Sequence, residues 1–212
     1  MICKIKNELK IAGSNLYIIS MILVVFLVFL AVFAGELLNI SSVGFEVIFP
    51  FYAAIAVGEW GKTKSDDNYD VIVAQSKSVF EWLAIRYIAV MGMVSIFAVI
   101  GMASVSLIRN EMTLIELLLT YFPTAFLLSS LSMSVGIHFG KEHIATTVCG
   151  VIWLVFLMIR GLLQIPIVQY IYLFIRFAGI ESNIWIINKS VLFIISIVIW
   201  CEVYWTCKKY YS

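Results

Sequence analysis

Six ionisable residues lie inside or at the ends of long apolar runs, and their positions make them the side chains best placed to do chemistry: Glu46, Glu59, Arg86, Glu116, Arg160 and Glu202. A charge held in hydrocarbon costs several kcal/mol unless it is paired or wetted, so each is a functional candidate by default. Glu46 and Glu116 would be the proton or sodium ligands of a small carrier. They would equally suit an exit path, or solvation by lipid headgroups. Glu59, Arg86 and Glu202 fall together toward one side of the membrane, where a structural ion pair among them is the plainer reading and a transport role the other.

Other motifs that would carry chemistry fail on spacing. Gly58-Glu-Trp-Gly61-Lys62-Thr63 ends like a phosphate-binding loop, but that loop needs four residues between its glycines, and Ala56 occupies the first-glycine position. Gly136 to Lys141 has one residue too few between its glycines, with Glu142 where Ser or Thr is required. His138 and His143 flank Lys141 and Glu142 without an HExxH pair or further clustered ligands, so they read as interfacial residues. There is no GxSxG elbow or paired acidic motif for an intramembrane hydrolase. Cys3, Cys149, Cys201 and Cys207 lack CxxC spacing and read as packing residues or free thiols. The expectation is a chain with no catalytic residue, metal site or bound cofactor of its own.

Composition sets the elements that must position the charges. Of 212 residues, 63% are hydrophobic and 13% charged, with a mean hydropathy of +1.04. Soluble domains are about 45–50% apolar and about 25% charged, so this reads as an integral membrane protein. The net charge of +1 lies in short patches between apolar runs, which sets nucleic-acid binding aside. Apolar runs at 16–38, 43–58, 80–107, 112–139, 143–163 and 190–205 are each near the roughly 20 residues needed to cross a bilayer. They predict an all-α membrane protein, a single transmembrane domain over 1–212, with both termini on one side.

With the N-terminus cytoplasmic, Lys4, Lys6, Lys10, Lys62, Lys64, Lys77, Arg86, Lys141, Lys208 and Lys209 face or approach the cytoplasm. Arg109, Arg160, Arg176 and Lys189 are left outside, and that bias fixes the expected orientation in the plasma membrane. The basic N-terminus before an apolar run is the layout of a signal peptide. The run is long enough to stay as a membrane helix, however, and no small-residue cleavage motif closes it. Residues 1–15 place Ile2, Ile5 and Leu9 at helical spacing among lysines, as an interfacial helix or a plain basic flank. Residues 164–188 are too apolar for a solvated loop but are interrupted by Gln164, Pro166, Gln169, Arg176 and Glu181. They predict one or two short helices dipping into the outer interface, anchored by Tyr170, Tyr172 and Trp185.

The longest predominantly polar interruption, 59–87, is where the chain would meet a partner. Asp66, Asp67 and Asp70 suit a helix N-terminus, and Tyr69, Ile72, Val73 and Ser76 then share one face that Phe80 continues. That face is apolar enough to dock and too short to span.

From Glu59 onward the chain resembles the permease subunit of type-2 ABC exporters. The matching residues are Glu59 and Gly61 at the end of the second span, the stretch 69–74, and Gln75-Ser76-Lys77-Ser78 leading to Phe80. The usual proline of that turn is absent. The resemblance implies an N-terminal elbow helix over 1–15, a cytosolic coupling segment over 60–79 and re-entrant helices over 164–188. Its ATPase-coupling residues here would be Asp67, Tyr69, Asp70, Ile72 and Val73. It further implies a separate ABC ATPase subunit that binds ATP and Mg, a second permease copy or paralogue, and export of an amphipathic peptide or other hydrophobic substrate, as in small bacterial peptide and lantibiotic exporters. Met91, Met93, Met102, Met133 and Met158 would suit an adaptable apolar path, or simply packing. Two other classes compete: a stand-alone membrane immunity or sensor protein that binds a toxin peptide without ATP, and the ion-coupled carrier.

Overall fold

The computed structural model describes residues 2–33, 39–61, 78–109, 112–139, 143–180 and 183–211. Among them are six helices long and apolar enough to cross a membrane, here numbered as spans one to six: Gly13–Phe33, Ile40–Trp60, Val79–Ile108, Leu114–His138, Ile144–Gln164 and Ile184–Lys209. The first packs along the third, the second on the fourth, and the fourth on the sixth. In the most apolar window of the second span 78% of residues are buried, against 6% for the fifth, which puts the second at the centre and the fifth at the rim.

The helix Ile2–Phe33 is two helices joined at Gly13, whose φ of 75° and ψ of 179° leave the helical region. That conformation is essentially confined to glycine. A Cβ there would meet nothing within 4 Å, so the backbone alone requires glycine at this position. In the preceding segment Ile5 and Leu9 are partly buried and Lys10 is exposed.

The second span starts with a single helical turn, Ile40–Ser42, and passes into a π-helix over Val43–Ile48, with the Phe49 amide donating to the Gly44 carbonyl five residues back. Pro50 follows and has no amide to return to the Glu46 carbonyl, so the standard ladder is already broken where the wider register sits. At the other end of this span Gly58 lets two neighbours approach: a Cβ would lie 2.9 Å from Ser132 Oγ and 3.0 Å from Thr146 Oγ1.

Inside the bundle, polar side chains tie helices together. Tyr87 and Ser129 share a 2.8 Å hydrogen bond, as do Ser20 and Tyr52; Trp200 donates to Ser130 at 3.0 Å and Ser132 to the Ala54 carbonyl at 2.9 Å. Such bonds are worth on the order of 0.6 kcal/mol each, so they set register while packing supplies most of the association. The methionines do not share one surface: Met91, Met102 and Met133 are core residues, whereas Met158 is 83% exposed.

Between the fifth and sixth spans the chain forms a short helix, Pro166–Ile171, and then an irregular stretch over 172–180. Tyr172, Leu173, Phe174 and Ile175 are all buried there, so this backbone folds into the protein.

Candidate functional site

A non-helical segment inside a membrane bundle must have its amides and carbonyls satisfied by protein. Here that requirement builds a charged cluster. Arg176 and Phe177 donate their backbone amides to the two carboxylate oxygens of Glu46, at 3.2 and 2.6 Å. Lys189 Nζ sits 2.6 Å from Glu46 Oε1, with side chains 3% and 0% exposed. The ammonium also donates to Thr124 Oγ1 at 2.7 Å and to the Leu173 carbonyl at 3.0 Å, which uses all three of its donors. One residue earlier, Asn188 Nδ2 donates to the Gln169 and Tyr172 carbonyls at 2.8 and 2.9 Å. The π turn of the second span, the fourth span and the start of the sixth thus close around one loop.

Two arginines, one in the loop and one before it, tie the same loop to its neighbours. Arg176 Nη2 lies 3.9 Å from Glu116 Oε1 and its guanidinium 5.3 Å from the Trp185 ring; Arg160 lies 5.1 Å from the Phe177 ring. Glu116 also closes a capping box at the start of the fourth span, accepting from the Thr113 amide and hydroxyl at 2.9 and 3.0 Å. Beside the cluster, Leu119, Phe122, Pro123, Lys189 and Phe193 line an apolar groove of about 440 Å3 between the fourth and sixth spans.

Tyr172 and Trp185, expected at the headgroup boundary, are buried in this packing instead, while Tyr170 is 38% exposed. Burial pushes the Tyr172 hydroxyl up to about 12, and among the described residues it has no hydrogen-bond partner. Tyr172→Phe is therefore expected to be neutral or to raise stability by up to about 1 kcal/mol, because it removes a desolvated hydroxyl that bonds nothing. Thermal unfolding in detergent reads the sign.

At the end of the molecule carrying both termini, Glu59, Arg86 and Glu202 each bind a different partner and not one another. Arg86 Nε donates to Glu8 Oε2 at 2.8 Å, with side chains 4% and 14% exposed, and its guanidinium lies 4.4 Å from the Trp82 ring. Glu59 accepts from Thr146 Oγ1 at 2.6 Å and contacts His143 Nδ1 at 2.9 Å, joining the second span to the fifth. Glu202 accepts from Ser134 at 2.9 Å and Thr206 at 2.8 Å, and His138 Nε2 lies 3.2 Å from it, joining the fourth span to the sixth.

The coupling residues Asp67, Tyr69, Asp70, Ile72 and Val73 lie outside the described residues. Among the described residues no three His, Cys, Asp or Glu side chains come together as metal ligands would. Lys189, Thr124, Asn188 and Glu8 were not singled out from sequence. Their signal is faint: Asn188-Lys189 is a polar pair directly before the predicted start of the last span.

Taken together, the six apolar helices and the internal pairing of their charges define an all-α chain of the multi-pass membrane class. No family model, curated protein or solved structure matches it.

Proposed function

We propose that this chain is the membrane-spanning permease subunit of an ATP-driven exporter, moving an amphipathic peptide or other hydrophobic substrate, with both termini in the cytoplasm. The ATP and Mg are held by a separate ATPase, and a second permease copy or paralogue completes the pathway. The observation that carries this reading is the Glu8–Arg86 pair. It ties the N-terminal helix, broken from the first span at Gly13, to the beginning of the third span, directly after the segment 60–79. A push on that segment would reach the third span and the N-terminal helix as one body. The short helix Pro166–Ile171 and the buried loop before the sixth span further support it, since the resemblance implies re-entrant elements at that place.

The carrier reading is less well served. Glu46 has its charge balanced by Lys189 and two amides, and Glu116 is spent on a helix cap and on Arg176, which leaves neither poised as an ion ligand.

The test is to purify the tagged chain in mild detergent and identify its companions. An ATPase with a phosphate-binding loop should come with it in stoichiometric amount. Tyr69→Ala and Asp70→Lys should then retain assembly of the spans while transport falls about tenfold or more and ATP hydrolysis continues, the signature of lost coupling. Full activity of the chain with no nucleotide-hydrolysing companion would end this reading in favour of an immunity or sensor protein.

A further inference from the structure

The apolar groove beside the charged cluster lies between the first turns of the fourth and sixth spans, at the end of the bundle away from the termini. We infer that it seats one acyl chain of a phospholipid from the leaflet at that end. The inference does not depend on the exporter reading.

Length is the first argument. On the sixth span the groove runs from Trp185 to Ile194, about 14 Å at about 1.5 Å per residue, or half of a hydrocarbon core of about 30 Å. Just below it the two spans close on each other: the Phe126 and Phe193 rings lie 5.4 Å apart, and Trp200 donates to Ser130 at 3.0 Å. The groove is thus one leaflet deep. A helix from a second copy crosses both leaflets and would leave the groove halfway. Two walls of that length, each about 10 Å wide, offer roughly 300 Å2, against the about 800 Å2 per partner of a stable protein interface. Chemistry is the second argument. Leu119, Phe122, Ile186 and Ile194 are exposed apolar side chains, and the polar ones at the groove are already bonded. Ser190 donates to the Ile186 carbonyl at 2.9 Å, and the Lys189 ammonium has its three donors on Glu46, Thr124 and Leu173. Pro123 has no amide for the Leu119 carbonyl, but one acceptor cannot serve a run of peptide amides. An extended peptide would leave its backbone unsatisfied here, whereas an alkyl chain needs no partner. Lipid tails are as apolar as leucine, so packing holds the chain: in the groove it touches two walls, and elsewhere on the surface one.

The experiment reconstitutes the full chain in vesicles of phosphatidylcholine carrying a diazirine midway along one acyl chain, irradiates them and maps the labelled residues by mass spectrometry. Ile194 should carry about fivefold more label than Ile187 and Val198, aliphatic residues exposed above and below it on the same helix but outside the groove. Ser190→Trp, which fills the groove with a side chain, should erase that excess, and Ile187→Trp, the same bulk outside it, should keep it. Leu119→Trp serves as the filling variant if Ser190→Trp fails to fold. The same photolipid with a phosphatidylglycerol headgroup should label alike, and an added amphipathic helical peptide of leucine and lysine should not compete. Even labelling of the three residues would overturn the proposal. So would Ile194 labelled less than Ile187 and Val198, the mark of a partner helix lying over the groove. An excess that survives the filling variant, follows the headgroup or yields to the peptide would overturn it as well.

Discussion

Lys189→Met should destabilise the protein by about 3–5 kcal/mol, because it leaves the Glu46 carboxylate buried without its counter-charge. Glu46 is 0% exposed, and the two amides that would remain on it supply hydrogen bonds but no full positive charge. Glu46→Gln should cost a similar amount for the converse reason, since Lys189 would keep only the neutral Thr124 hydroxyl and Leu173 carbonyl. The double variant Glu46→Gln/Lys189→Met removes both charges at once, and the glutamine retains an acceptor for one loop amide. Its cost should fall below the sum of the single costs by about 2 kcal/mol, the range found for residues that share a network. Equilibrium unfolding in a mixed detergent system measures all three. Strictly additive costs would mean that each residue holds the loop independently and that the ion pair is incidental.

Why this cluster escaped the sequence is a matter of what hydropathy registers. The six crossings were legible because apolar length is a local property: the run expected at 80–107 is the helix Val79–Ile108, and the one at 112–139 is Leu114–His138. The sixth was expected from 190, yet the helix begins at Ile184. Asn188 and Lys189 lower the local hydropathy, and a charge is indistinguishable from a loop signal until its partner is known. That partner lies in the second span, and only the meeting of helix faces brings it near. Glu46 was recognised as a candidate for the sound reason that a carboxylate in an apolar run needs an explanation. Its role was not readable, because the explanation consists of two backbone amides from a loop whose inward fold no periodicity announces. Tyr172 and Trp185 misled for the same reason: aromatic residues between spans suggest a boundary belt, and burial by a loop that turns into the bundle overrides the suggestion. Arg86 was expected to find an acid among Glu59 and Glu202. It bonds instead to Glu8, in a segment whose alternation of lysine and isoleucine was compatible with a plain basic flank.

Arg86→Met should separate stability from coupling more sharply than any other single change. Arg86 is 4% exposed, and its loss strands Glu8 against the third span, for a cost at the lower end of about 3–5 kcal/mol because Glu8 is 14% exposed and can relax toward water. Glu8→Gln should cost less, since glutamine still accepts from the guanidinium and Arg86 keeps its stacking on Trp82. If the N-terminal helix moves with the third span, both variants that still fold should lose transport in the same sense as Tyr69→Ala while the companion ATPase keeps turning over. The charge-reversed pair Glu8→Arg/Arg86→Glu should recover part of that loss, because the bridge is restored with the same helices joined. A paired readout of unfolding midpoint and substrate efflux per ATP hydrolysed decides it. Loss of stability with efflux per ATP unchanged in the surviving protein would make Glu8–Arg86 a plain structural tie, and Gly13 would then be a hinge with no part in transmission.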